Sequence, residues 1–236
     1  MKKKFLYDGN IEAGYYDKIF FKKKGVQSAW NNIKFNFFKE KIKTKKLHLD
    51  IGCGPGTFIN MLNKKSIGID ISKNQILYAK KKFKNKKFKF KQFRKKIPLK
   101  SNSVDTISLI ELIEHLNNRD LIFLIKECKR VLKKDGIIHL STPNYYSFWP
   151  ILEILINYFS SLSYKHQHIN KFNRKKLLNF FKKNGFFIKK YETFIFISPF
   201  LALFSFKISI IVSKFEKIFK MFFPGFLMYL EIKKIR

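Results

Sequence analysis

From residue 26 to about residue 145 the chain alternates short apolar runs with amphipathic stretches, and beyond that its pattern changes. Val26, Trp30, Ile33, Phe37, Phe38 and Ile42 recur at three- and four-residue spacing, which predicts an amphipathic helix over 26–43. A strand is expected at 47–51, a tight loop at 52–56 and the opening of a helix at 57–62. A second strand follows at 66–71, and Ser72 is placed to cap a helix that runs to about Phe83. Residues 88–93 alternate apolar and polar side chains, as a half-exposed third strand does. A fourth strand is expected at 104–110, a helix at 120–132, a stop at Asp135-Gly136 and a fifth strand at 136–141. Strand and helix in strict alternation predict a parallel sheet with right-handed crossovers.

Beyond Pro143 apolar residues crowd together. Residues 148–162 hold more of them than one helix face can bury, a helix is expected from Asn173 through 183, and Gly185 opens a sixth strand. Residues 194–212 approach the roughly twenty apolar residues of a membrane span. Pro199, Lys207 and several serines interrupt them, however, and they begin within the expected sixth strand. The stretch 213–223 sets lysines beside an apolar face. That is the pattern of an interfacial helix on an anionic membrane, or of a lid or dimer helix packed on the domain. A last strand is expected at 226–232. No repeat or low-complexity linker separates these parts. The chain therefore reads as a helical lead-in (1–45), a core (46–145) and a remainder (146–236) that adds a lid, the last strands and an apolar and basic insert to the same domain.

Composition changes the picture in two places. The formal net charge of +34 suggests polyanionic partners. Yet arginine and alanine are scarce while lysine, phenylalanine, isoleucine and asparagine abound, so AT-rich codon usage accounts for much of the lysine. Charge alone therefore does not argue for nucleic acid, and no nucleic-acid-binding module is visible; an anionic membrane surface remains open. Cys53 and Cys128 have no metal-type spacing, which fits a reduced, cytoplasmic protein. The N-terminus lacks the apolar run of a signal peptide.

The candidate chemistry begins at Leu49-Asp50-Ile51-Gly52-Cys53-Gly54-Pro55-Gly56. A glycine loop between strand and helix lets a backbone approach a nucleotide-like ligand closely. Asp70, ending the second strand, stands where a carboxylate accepts both hydrogen bonds of a ribose diol. The loop departs from the G-x-G-x-x-G of nicotinamide enzymes and resembles motif I of class I S-adenosylmethionine-dependent methyltransferases. Ser103 to Leu116, ending Glu111-Leu112-Ile113-Glu114-His115-Leu116, resembles that family's fourth strand. Leu132 to Asn144, with Ser141-Thr142-Pro143-Asn144, resembles its fifth. The resemblance covers about residues 45–145 and extends to quinone-biosynthesis O-methyltransferases.

It implies a Rossmann-like α/β fold: a seven-stranded, mostly parallel sheet with an antiparallel last strand, helices on both faces and apolar helical inserts. It implies S-adenosylmethionine as cofactor, with Gly52, Cys53, Gly54 and Gly56 behind its methionine portion and Asp50 at its amino group. Asp70 and Ile71 would take the ribose, and Ile110 would line the adenosyl pocket. Many relatives carry an acid after the third strand. Here Gln92 and Phe93 stand instead, able to accept a hydrogen bond and to stack on the base.

The acceptor is expected to be a small or lipid-like molecule methylated at oxygen, for which a general base is needed. His115, Glu114 and His168 are the candidates, with His166 beside them on an extended segment. Glu111, Glu114 and His115 match an E-x-x-E-H arrangement that holds a divalent metal in some quinone O-methyltransferases and none in other relatives; no residue is assigned to a metal here. A non-catalytic membrane-associated protein on the same fold is the alternative of another class.

Overall fold

The computed structural model describes residues 11–43, 46–94, 96–159, 167–216, 218 and 222–235. Helices α1 (Tyr15–Lys22) and α2 (Val26–Lys41) precede strand β1 (His48–Ile51). Helix α3 (Thr57–Leu62), β2 (Ser66–Asp70), α4 (Lys73–Lys82), β3 (Phe88–Gln92) and β4 (Val104–Ile110) follow. Next come α5 (Asn118–Val131), β5 (Leu132–Pro143), α6 (Trp149–Phe159), α7 (Arg174–Lys183), β6 (Phe186–Phe194), α8 (Phe206–Ser213) and β7 (Leu227–Lys234). Side-chain caps start the helices where the sequence places them: Ser72 accepts from the Gln75 amide, and Asn173 from the Lys176 amide.

The strands form one sheet in the order β3-β2-β1-β4-β5-β7-β6, parallel through β5 and antiparallel at β7. Strand β1 is buried along its whole length, while β3 alternates buried and exposed residues at the sheet's edge. One core face packs Leu121, Leu124, Cys128, Leu177 and Phe181 on the strands. The other packs Phe38, Phe58, Phe194 and Tyr229. Because order reverses between β1 and β4, the carboxyl ends of those two strands form the switch point at which open α/β sheets bind ligands.

Two expectations are corrected. Asp135-Gly136 does not stop a helix, because β5 already begins at Leu132 and the register with β4 shifts between Val104 and Thr106. A Cβ at Gly136 would meet Leu132 at 2.5 Å and the Asp105 carbonyl at 3.0 Å, so this glycine serves a close approach within the sheet. Residues 198–213 form two short pieces, a 3-10 helix at Ser198–Leu203 and then α8, since Ser205 caps a new start. Helix α8 stops at Ser213 and a turn follows at 214–215, so the described part of 213–223 does not continue it; residues 217 and 219–221 lie outside the described set. Helix α1 lies within the helical lead-in, whose sequence pattern specified only the helix over 26–43. Among the described residues, no helix is long and apolar enough to cross a membrane.

Candidate active site

The glycine loop leaves β1 at Ile51 and feeds α3. Gly52, Gly54 and Gly56 have φ of 76°, 50° and 81°, in the left-handed region that glycine alone enters cheaply. Their surroundings differ. A Cβ on Gly56 would strike the Phe90 ring at 2.8 Å, and one on Gly52 would meet Leu112 at 3.1 Å. At Gly54 a Cβ would meet nothing within 4 Å. The loop is thus packed at both ends and bare at its crest. Cys53 is buried, and burial pushes its thiol well up.

Asp70 ties this loop to the end of β2. Its Oδ2 accepts from the Gly54 amide at 2.8 Å, and its Oδ1 from the Ser72 amide at 2.8 Å. The carboxylate is thereby aimed across the loop and half-buried. Ile71 and Gln92 stand beside it, the Gln92 amide group donating to the Ile71 carbonyl at 2.9 Å, and the Phe93 amide donates to the Asp70 carbonyl. Asp50 lies beneath the loop inside β1, where it accepts from the Ser108 hydroxyl. That hydroxyl is 3.0 Å from His48 Nε2, and His48 Nδ1 is 2.9 Å from the Thr106 hydroxyl. Burial raises Asp50 to about 7, with the Asp70 charge adding to it, and lowers His48 to about 3. Ile110, at the end of β4, packs with the second core face.

The candidate acid–base residues gather just past β4. Glu111 has φ of 47° and is ion-paired to the buried Lys34 of α2. A single 3-10 turn, Ile113–His115, follows. Glu114 is fully buried, one carboxylate oxygen accepting from the Thr142 hydroxyl at 3.0 Å while the other, Oε1, has no hydrogen-bond partner. The extended stretch 167–170 closes over this turn, with the Asn170 amide donating to the Glu114 carbonyl. His115 Nδ1 lies 3.1 Å from the Gln167 carbonyl, and the His115 and His168 rings are 5.0 Å apart. One ligand atom from each of Glu114, His115 and His168 falls within 4.8 Å of the others. His168 Nδ1 is 3.0 Å from the Tyr145 hydroxyl and 3.4 Å from Glu153, which also accepts from that hydroxyl and from Trp149 Nε1. Burial, and then the Glu111 charge, push Glu114 up to about 8; burial, and then His168, pull His115 down to about 4.

The three acid–base candidates are therefore brought together, with His168 in the place beside Glu114 and His115 that the motif gives to Glu111. His166 lies outside the described residues. Sequence reasoning missed the supports: Glu153 and Tyr145 behind His168, Lys34 on Glu111, and Asp17 of α1. Asp17 accepts from the Thr57 hydroxyl at 2.7 Å and from the Tyr78 hydroxyl at 2.8 Å, clasping α1 to the helices on either side of the loop. Partners separated by fifteen to seventy-seven residues leave no local signal.

Comparison with known proteins agrees with this geometry. A family model described as a methyltransferase domain matches residues 26–190. A ubiquinone biosynthesis O-methyltransferase of Pelagibacter ubique is 35% identical over 133 residues, 49% of this chain and 54% of that protein. A probable S-adenosylmethionine-dependent methyltransferase of Mycobacterium tuberculosis is 27% identical over 141 residues, 58% and 47% of the two chains. The chain thus spans about half the length of the curated relatives it matches. A crystal structure of a SAM-dependent methyltransferase from Archaeoglobus fulgidus superposes with a TM-score of 0.62 over 93% of this chain and 100% of that one, at 20% identity. With its sheet order, its glycine loop and the match to residues 26–190, the chain belongs to the S-adenosylmethionine-dependent methyltransferase family.

Proposed function

We propose that the protein transfers a methyl group from S-adenosylmethionine to oxygen on a small or lipid-like acceptor, with residues 146–236 forming the acceptor side of the same domain. The observation that carries the reading is the bare crest at Gly54 facing the Asp70 carboxylate. A ligand with a backbone-hugging chain and a diol fits such a cradle, with the diol directed at the Asp70 carboxylate. Asp50 sits beneath, half-neutralised by burial, and a ligand ammonium beside it would favour its ionised form. Bound there, the cofactor supplies a methyl group already activated on sulfur.

The chain's own task is to orient the acceptor and take its proton. Glu114 at about 8 is mostly protonated at neutral pH and fits a donor's role better than a base's. His168 is the stronger candidate for base: Glu153 and Tyr145 hold its Nδ1 edge, and the Glu153 carboxylate would stabilise an imidazolium there. The Pelagibacter relative is named an O-methyltransferase, which supports oxygen as the acceptor atom. Isotopically labelled S-adenosylmethionine incubated with fractionated extract tests the proposal. Label entering a lipid or small molecule through an alkali-stable ether supports it, and the absence of both transfer and cofactor binding would favour a non-catalytic protein on this fold.

A second reading, a divalent-metal O-methyltransferase of the quinone-biosynthesis kind, is favoured by the orphaned Glu114 Oε1 on a carboxylate grouped with the His115 and His168 imidazoles. A buried carboxylate oxygen without a donor costs roughly 1–3 kcal/mol or more, and a cation would remove that cost. Glu114, His115 and His168 would hold it, with Glu153 as outer support, and it would lower the pKa of an acceptor hydroxyl. Metal binding followed by calorimetry, present in the native chain and lost in Glu114→Gln, distinguishes this reading from the first.

A further inference from the structure

Two apolar segments leave the sheet at the same end as the glycine loop. Strand β5 ends at Pro143, paired with Leu227 at the start of β7, and Leu227 is also paired with Phe194 at the end of β6. Helix α6 follows the first of these ends, and the 3-10 turn with α8 follows the second. An aromatic chain links them on the inner side: Trp149 lies 5.5 Å from Trp30, Trp30 lies 6.1 Å from Phe226, and Phe226 lies 6.1 Å from Phe200.

Their outer sides are unlike an ordinary surface. Phe204 is 90% exposed, Tyr158 82% and Leu203 70%, and Ile151, Ile154, Ile208 and Ile211 are exposed beside them. Scattered exposed apolar residues need no explanation, but this many on segments that leave the same end of the sheet suggest an interaction surface. The charges are sorted as well. Residues 145–159 and 195–216 contain two acids, Glu153 and Glu216, and both are turned inward. Glu153 is held by Tyr145 and Trp149; Glu216 accepts from the Phe196 amide at 3.2 Å and from the Ser198 amide. The charged side chains these segments leave outside are Lys207 and Lys214.

From this sorting we infer that the face formed by α6, the 3-10 turn and α8 docks on an anionic lipid bilayer, opening the acceptor side of the domain toward the membrane. Apolar side chains would enter the acyl boundary while the lysines meet anionic headgroups. A second copy of the chain fits less well. Self-pairing would bury Lys207 and Lys214 against each other with no acid to meet them, between two bodies that each carry +34. The inference deepens the lipid-like acceptor proposed above, and its test does not depend on turnover.

The test is flotation of the full chain with vesicles of phosphatidylglycerol and phosphatidylcholine, compared with phosphatidylcholine alone. The chain should float with the anionic vesicles and bind the neutral ones at least about tenfold more weakly, since each lysine near a charged surface is worth about 1 kcal/mol. Phe204→Asp with Ile208→Asp should lower partition about 100-fold, from two apolar side chains no longer buried. Lys207→Glu with Lys214→Glu should cut the preference for anionic lipid at least about tenfold. Both double variants alter exposed positions and should keep the native circular dichroism spectrum and cofactor affinity, so a failure of the membrane inference is separable from a failure of the methyltransferase reading. Native chain that stays with the pellet, partition unchanged in the aspartate variant, or a sedimenting dimer that this variant converts to monomer would each overturn the inference.

Discussion

Gly54 and Gly56 are two residues apart, share a left-handed backbone and do different work. Alanine at either position carries a steric cost of about 1–2 kcal/mol for that conformation. At Gly56 the new methyl group would also collide with Phe90. Gly56→Ala should therefore lower unfolding free energy by about 2 kcal/mol or more in urea titrations. Gly54→Ala should cost the fold little beyond the backbone term yet weaken S-adenosylmethionine binding measured by calorimetry. Asp70→Ala should reduce that affinity by about 1.5–3 kcal/mol, the range for hydrogen bonds to a charged group, and unchanged affinity would displace the ribose from this carboxylate.

Glu114 offers a pH signature. Its folded pKa of about 8 stands above its ordinary 4.5, so its contribution to stability is complete below about pH 4.5 and is lost as pH rises through 8. Asp50, at about 7 against 3.8, acts in the same direction over a lower window. The buried His48, His115 and His139 are pulled down, and their contribution is lost as pH falls from 6.5 toward 4. Comparison with Glu114→Gln isolates the first effect: in the absence of metal, the native chain's melting temperature should fall more steeply than the variant's between pH 5 and pH 8. Parallel curves would mean that the carboxyl is not held neutral.

At the scale of elements, α1 is clasped to α3 and α4, the helices that follow the glycine loop and β2. Its hold depends on Asp17, a buried acid whose two hydroxyl partners lie on α3 and α4. Asp17→Ala should cost about 2 kcal/mol or more of stability by leaving both hydroxyls unpaired, and should weaken cofactor binding as well. Loss of stability with intact affinity would show that α1 braces the domain without covering the site. The helix boundaries themselves were legible in the sequence. Ser72 and Asn173 announce their helices through short-range capping, and the alternation at 88–93 reports an edge strand. Nothing comparable announces α1, whose short apolar pattern becomes meaningful only against Tyr78 and Thr57.

For the whole molecule, the site is a seam between segments distant in the chain: α1 and α2, the loop after β1, the turn after β4 and residues 167–170. A ligand bound across such a seam stabilises all of them together. S-adenosylhomocysteine at 100 times its dissociation constant should add about 2.7 kcal/mol, which corresponds to a rise in melting temperature of roughly 5–10 °C for a domain of this size. No shift at that concentration would count against the seam as a cofactor site.

The sequence by itself determined the order of strands and helices, the glycine loop, and the acid at the end of the second strand. Each of these depends on residues close together in the chain: hydrophobic period, caps and turns that need positive φ. Only the tertiary structure decided which acids and imidazoles meet. It took Glu111 out of the cluster by pairing it with Lys34 and put His168 beside Glu114 and His115 instead. It also turned Glu153 and Glu216 inward, leaving lysines outside. Charge pairing and burial are set by distances across the fold, and separation along the chain does not encode those distances.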